Sequence, residues 1–502
     1  MILGRNILVN FGAQAIIFLA SFFTTPFIFK GLGQTYYSLL VFFTTVVGFF
    51  MAMDFGLSVA FVQFFSKYVH DEKKRKEVFT SSFLIYTAIM FLWAFLIFIF
   101  SPFLLSKFFP LVQQVGGISI LGLRLFCLVL FVSALSNFLA LVFQAMQKFH
   151  IFNIRTIFLG VLIPVITALL LLYGKSLMDI IYLHLFVQIL VFLYFAVLLR
   201  EYFSLDNIKL FSFSKVKEIL AYAKWKFVGQ LCGQLRQKSA SFILSASMSL
   251  DQLAFLSIPQ GLSDRYISLQ PNITSPVFTM TAELKGLKKE KSTIYLYKFS
   301  VKIVNIIFLS LGVYLFFYGV DFLRIWIGPD FADKAGLVLR VLILAYAISV
   351  LNGMPNTYLE GIGKPNLPAY FSILIVIVYL ALAFFLVPSY GPLGAAWAAF
   401  FTYLLQVPAY LYFVHKKVLK ELTWPFIWRA YILPIIMAFL AGFFSLLLKI
   451  RIENWFSFIG TFIVYWCIFV TLVLAFGIFD KNERNELKEI LAKIWKNVAY
   501  RQ

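Results

Sequence analysis

Fourteen apolar stretches, separated by short polar connections, occupy nearly the whole chain. They run over 7–29, 38–65, 79–101, 121–143, 156–173, 177–199, 225–247, 253–283, 300–320, 337–358, 367–387, 391–414, 430–448 and 455–478. Most are near the roughly 20 residues that an α-helix needs to cross about 30 Å of hydrocarbon. A helix satisfies its own backbone polar groups, so it is the form these stretches take in lipid. The pattern predicts an all-α polytopic membrane protein with no soluble domain of useful size. The first stretch is long enough to span and lacks a small-residue cleavage site, which argues against a removed signal.

Two stretches depart from the apolar rule. In the seventh, Lys226, Gln230, Gln234 and Lys238 step by four, with Gln237 and Ser241 beside them. On a helix this makes one drifting polar stripe. Arg236 points about 200° away from Lys238, beside Gly229 and Gly233. In the eighth, Ser257, Gln260, Asp264 and Ser268 share a face, flanked by Arg265 and Asn272. Pro259, Pro271 and Pro276 would bend that helix, which is tolerated at membrane depth only beside protein or water.

A charge at a helix centre costs roughly 2.5–3.5 kcal/mol on an insertion scale. These groups are therefore expected to face water or each other. Lys238, Arg265 and Arg236, with Gln230, Gln234 and Gln260, are the candidate substrate ligands, forming a cationic wall that suits phosphate. The competing reading is a glutamine stripe that glues helices together while the cations snorkel. Asp54 and Asp264 are the candidate ion-coupling carboxylates. Asp54 otherwise makes a buried hydrogen bond to a neighbouring helix end, and Asp264 otherwise serves as counter-ion to Arg265. Arg124 and Arg340 read as interfacial anchors, and His184 as a core histidine.

Loop charge sets the orientation. With the N-terminus in the cytoplasm, 31 of the 43 Lys and Arg residues fall on the inner side, eight outside and four within spans. Among the inner ones this count places Arg155 and Lys302. The bias predicts that both termini are cytoplasmic. The net charge of +21 is accounted for by these loops and their contact with anionic lipid, and nucleic acid is not an expected partner. Cys127, Cys232 and Cys467 lie far apart inside apolar segments and offer neither a disulfide frame nor metal spacing.

The chain also repeats itself at an offset of about 216 residues. Leu123-Arg124-Leu125 recurs as Leu339-Arg340-Val341, and Ser133, Leu135 and Lys148 recur as Ser349, Leu351 and Lys364. Phe11 and Gln14 match Phe227 and Gln230, and Tyr173-Gly174 matches Tyr390-Gly391 with one residue of slip. The offset holds six stretches, so both copies enter the membrane in the same direction. Parallel repeats of this kind build transporters whose halves rock about a central site. The expected organisation is an N-lobe over 1–200, an amphipathic linker over 201–224, a C-lobe over 225–415, two added helices over 416–479 and an amphipathic tail over 480–502.

The opening Arg5-Asn6-Ile7-Leu8, then Gly31-Leu32-Gly33 with Tyr36-Tyr37-Ser38, resembles the first span and turn of one superfamily. Asp54-Phe55-Gly56-Leu57 and Glu360-Gly361-Ile362-Gly363-Lys364-Pro365 are similar to further motifs there. It is the multidrug/oligosaccharidyl-lipid/polysaccharide exporter superfamily, and within it the chain most resembles the polysaccharide flippases. The resemblance implies an undecaprenyl-linked glycan as substrate, a bacterial cytoplasmic membrane, surrounding lipid as partner, and alternating access. It admits H+ or Na+ as coupling ion and glycan polymerase machinery as a neighbour. The rivals are a multidrug exporter, which would want an acidic cavity, and a lipid II flippase. The first span has no internal Asp or Arg of the kind lipid II flippases carry there. No cofactor is expected, and no Walker A run points to ATP. A membrane enzyme of glycan assembly would want a larger acidic external loop. Asp321, Asp330 and Asp333 are the only acidic candidates, without a His or metal-ligand partner.

Overall fold

The computed structural model describes residues 2–502 other than 69–70, 114–116, 147, 204–209, 249–250, 272, 275–276, 279–280, 282–283, 285–286, 363, 365, 420–422, 480–482 and 484–502. Side chains at 2–11, 13–15, 59, 63, 66–67, 111, 113, 149, 220–226, 228–230 and 418 are also outside the description. Among the described residues all regular structure is helical. Eleven helices are long and apolar enough to cross a membrane.

The first of these, α1 (Ile2–Met51), is too long for one crossing and contains two expected spans. They meet at Gly33, whose φ of 71° and ψ of 169° break the helix. Glycine adopts this conformation without a Cβ clash. The second expected span is not continuous. It stops at Met51 and resumes as α2 (Leu57–Lys67). Asp54 fills the break, 2% exposed. Its Oδ1 accepts the Gly56 N–H at 2.9 Å and its Oδ2 accepts the Ser58 N–H at 3.0 Å. Phe55 (φ 54°) and Gly56 (φ 75°) are both left-handed. A carboxylate is a strong cap for the orphan donors of a helix start.

Then follow α3 (Glu72–Phe108), α4 (Gly117–Ala145), α5 (Phe149–Ile157, Phe158–Leu162 and Ile163–Leu172) and α6 (Leu177–Leu198). Asp71 caps α3 from the preceding loop. Its carboxyl is held below the usual carboxylate range, first by the Lys74 backbone N–H and then by the Lys74 side chain. In α5 the middle segment is a π-helical turn just before Pro164, and a second π turn, Trp428–Ile432, stands just before Pro434. Proline lacks an N–H and crowds the preceding turn, and a wider turn relieves that crowding.

The chain resumes as α7 (Phe213–Ser247), α8 (Gln252–Ser268), α9 (Glu290–Trp326), α10 (Pro329–Val350), α11 (Gly353–Gly361), α12 (Asn366–Tyr390), α13 (Pro392–Phe413), α14 (Trp424–Leu447) and α15 (Trp455–Phe476). The seventh expected stretch is helical but too polar to count among the eleven, and the described helix of the eighth, 17 residues long, is too short. Helix α7 begins inside the region read as a linker and continues unbroken. Its Val216 and Ile219 are buried, and the Ser212 N–H donates to Ser81 Oγ. This apolar face is covered by protein rather than by lipid.

Two compact units result: Met1–Ser257 with Val387–Gly391, and Ile258–Leu386 with Pro392–Gln502. The first has an aromatic core in which Phe138 meets Phe61, Tyr86 and Phe83 at ring distances of 4.5, 4.9 and 5.6 Å. In the second, Tyr314, Tyr318, Met437, Tyr465 and Phe469 pack together. Positions one offset apart share local backbone geometry. The Lys148 N–H bonds the Phe143 carbonyl and the Lys364 N–H bonds the Leu359 carbonyl, each at 2.8 Å. Gly174 and Gly391 end matching helices with φ of 70° and 60°, as a left-handed C-terminal glycine does. Within the first unit, residues one offset apart touch: Thr35 bonds Asp251, and the Ala254 N–H bonds Ser38 Oγ at 3.1 Å.

Candidate functional site

Because α7 is one uninterrupted helix, the four-residue spacing of Gln230, Gln234 and Lys238 does place them on one face. Gln234, Arg236, Gln237 and Lys238 are all half-buried. The side chains of Lys226 and Gln230 lie outside the described residues. The Lys238 stem runs beside Gly48 of α1, where a Cβ would sit 3.7 Å from its Cε. Gln234 Oε1 is a buried acceptor with no hydrogen-bond partner among the described residues. Such a group is costly unless something donates to it.

Gln260, Asp264 and Arg265 lie on α8, in the second unit, and are also half-buried. Asp264 Oδ1 accepts the Tyr346 hydroxyl of α10 at 2.8 Å. The pair ties α8 to α10 and gives Asp264 a neutral donor as neighbour. Further along, Gln270 Nε2 donates to the Val350 carbonyl at 2.8 Å. The expected site is thus divided: Lys238, Arg236 and Gln234 belong to the first unit, and Gln260, Asp264 and Arg265 to the second. Asn272 and Pro276 lie outside the described residues.

Asp54 makes buried hydrogen bonds to a helix end, and that end is the start of its own α2. Arg124 donates from Nε to Ser101 Oγ at 3.3 Å and lies 5.2 Å from the Phe98 ring centre, a contact between α4 and α3. His184 packs its ring 5.6 Å from that of Phe126.

Two charges counted in the cytoplasmic loops are inside helices instead. Arg155 turns inward from α5 and bonds Ser136 Oγ at 3.2 Å, Ser133 Oγ at 3.2 Å and the Ser133 carbonyl at 3.3 Å. Lys302 is buried in α9, paired with Glu483. Loop counting gives no sign of either burial, because it reads position along the chain and not the direction of a long side chain. A signal for Arg155 was present: Ser133 and Ser136, three apart on α4, form a polar ridge that calls for a partner.

These features define a polytopic α-helical membrane protein with a six-helix repeat and cations held within its spans. The sequence profile of the polysaccharide biosynthesis protein family matches residues 3–278. The chain belongs to that family. A Shigella flexneri protein assigned as an O-antigen transporter is 23% identical over 402 residues, covering 78% of this chain and 93% of that one. Among solved structures, the fold is similar to the lipid II flippase MurJ in its inward closed conformation. That likeness has a TM-score of 0.73 at 15% identity and covers 94% of this chain and 98% of the other. It is also similar to an inward-facing multidrug resistance MATE family transporter of the MOP superfamily. There the TM-score is 0.63 at 14% identity, over 81% and 97% of the two chains.

Proposed function

We propose that the chain is a flippase that moves a polyprenyl-pyrophosphate-linked oligosaccharide from the inner to the outer leaflet of a bacterial cytoplasmic membrane. Family membership supports the class. One observation carries the substrate reading: Lys238, Arg236 and Arg265 are half-buried cations on the polar helices α7 and α8. A dianionic pyrophosphate repays such charges because ionised donor and acceptor make the stronger hydrogen bonds. Gln234 and Gln260 supply neutral groups for sugar hydroxyls, while the polyprenyl tail remains in lipid. Both termini lie in the cytoplasm on the loop-charge bias, and the headgroup crosses by alternating access. Asp54 or Asp264 couples the cycle to an ion gradient, since each charge crossing 100 mV is worth about 2.3 kcal/mol.

The test is surface glycan display in cells carrying Lys238→Ala or Arg265→Ala. Loss of display with protein still in the membrane is expected. Normal display in both variants overturns the site, and export of organic cations instead would favour a drug exporter.

A further inference from the structure

Gly48 stands in an apolar run of α1, between Val46-Val47 and the rings of Phe49 and Phe50. Glycine inside a helix is less stable than alanine, because its backbone has more freedom to lose. Backbone shape does not explain it here: Gly48 is not among the left-handed glycines, and α1 continues past it to Met51. What the position provides is room. Among the described residues, a Cβ at Gly48 would meet one heavy atom within 4 Å, the Cε of Lys238 on α7, at 3.7 Å. Ring contacts fix α7 on either side of Lys238. The Phe242 ring, one turn away, lies 5.3 Å from that of Phe49, and the Phe227 ring lies 5.0 Å from that of Phe55. Phe50 turns instead to Trp93, at 5.3 Å.

We propose that Gly48 is a positioning residue for Lys238: the gap it leaves lets the lysine stem lie flat across α1 and carries the ammonium to the pyrophosphate. The inference rests on the flippase reading and names the residue that sets the reach of its cation. A lysine lays its apolar stem along neighbouring surface and keeps the ammonium beyond it. At Gly48 the contact is made through Cε, so the ammonium is one bond further on. A bulky side chain at this position would take the space of that Cε and turn the ammonium aside. Charge-assisted hydrogen bonds are short and depend on geometry, so a displaced ammonium loses affinity although its charge is unchanged.

The repeat gives independent support. At the 216-residue offset Gly48 corresponds to Asp264, whose side chain accepts the Tyr346 hydroxyl at 2.8 Å. The scaffold therefore takes a side chain at this position, and the glycine answers to what lies over it in the first unit. Lys238 corresponds at the same offset to Phe22. Both members differ in the other copy, so the seat and the cation occur together.

The experiment uses the full-length protein in lipid nanodiscs, with its lysines dimethylated by isotope-labelled formaldehyde and read by NMR. The Lys238 resonance is the one missing from Lys238→Arg. Without ligand, it should move in Gly48→Leu and stay near its wild-type place in Gly48→Ala, whose Cβ makes only an ordinary contact. An unmoved resonance in Gly48→Leu overturns the proposal. Inorganic pyrophosphate is then titrated in. Wild type and Gly48→Ala should respond alike. Gly48→Leu should need at least about tenfold more pyrophosphate, the loss expected for one hydrogen bond to a charged group. An equal titration in Gly48→Leu also overturns the proposal. Gly48→Val repeats both readings with a smaller side chain. A ligand-free shift in Gly48→Leu with no pyrophosphate response in any protein supports the seat and counts against the substrate reading alone.

Discussion

Lys302 and Glu483 form an ion pair across 181 residues of chain, with the ammonium 2.8 and 2.7 Å from the two carboxylate oxygens. They are 7% and 4% exposed. The pair fastens the segment after the last spanning helix to α9, where Ile478 is buried and Phe479 packs against Phe299. Removing one member of a buried pair leaves a stranded charge and costs about 3–5 kcal/mol. Lys302→Ala and Glu483→Ala should each destabilise by that much in thermal unfolding of the solubilised protein. Lys302→Met combined with Glu483→Leu should recover most of the loss. A double variant as unstable as the singles would contradict this.

Gly353 opens α11 at a point where a Cβ would run into the Gln270 amide. That amide cannot swing away without giving up its bond to the Val350 carbonyl. Gly353→Ala is expected to destabilise by about 1–3 kcal/mol, the usual range for overpacking, read as a lowered melting temperature. Removing the amide as well, in Gly353→Ala with Gln270→Ala, should relieve the clash. No recovery in the double variant would place the strain elsewhere.

His415 closes a buried triangle with Tyr297 and Tyr431, at 3.1 Å to each hydroxyl, and the hydroxyls are 3.4 Å apart. The triangle joins the end of α13 to α9 and α14. Truncating one hydroxyl leaves a buried partner short of a bond, at a cost of about 1–3 kcal/mol. Tyr297→Phe and Tyr431→Phe should each lower thermal stability by that amount while leaving glycan display intact at growth temperature. Unchanged melting temperatures in both would show that the triangle contributes nothing to stability.

Asp54→Ala removes the cap of α2, which should cost about 0.5–2 kcal/mol, whereas Asp54→Asn retains one of the two accepting oxygens and should lose less. If Asp54 also couples transport, Asp54→Asn will fail to display glycan despite normal membrane levels. Full display in Asp54→Asn would leave the cap as its one role.

Much of this architecture is readable from periodicity. Apolar run length marks the spans, and the Gln234–Lys238 spacing holds because α7 continues without a break. The Tyr173-Gly174 and Tyr390-Gly391 pair signals the repeat, since a helix-ending glycine has a backbone requirement that few other residues meet. What escaped depends on direction and long range. Asp54-Phe55-Gly56 sits between apolar runs, so the interruption it makes is invisible until two consecutive left-handed residues are seen. Arg155 looks like a loop cation because an Arg near a helix start reaches the interface or the core equally well. The Lys302–Glu483 pair joins segments that no local pattern connects.

The most direct test of the central claim uses purified protein in liposomes with a fluorescent polyprenyl-pyrophosphate oligosaccharide, followed from one leaflet to the other. Wild-type protein and Arg124→Ala, whose guanidinium serves a helix contact, should transfer the headgroup. Lys238→Ala and Arg265→Ala should not. Equal transfer by all four proteins would contradict the account.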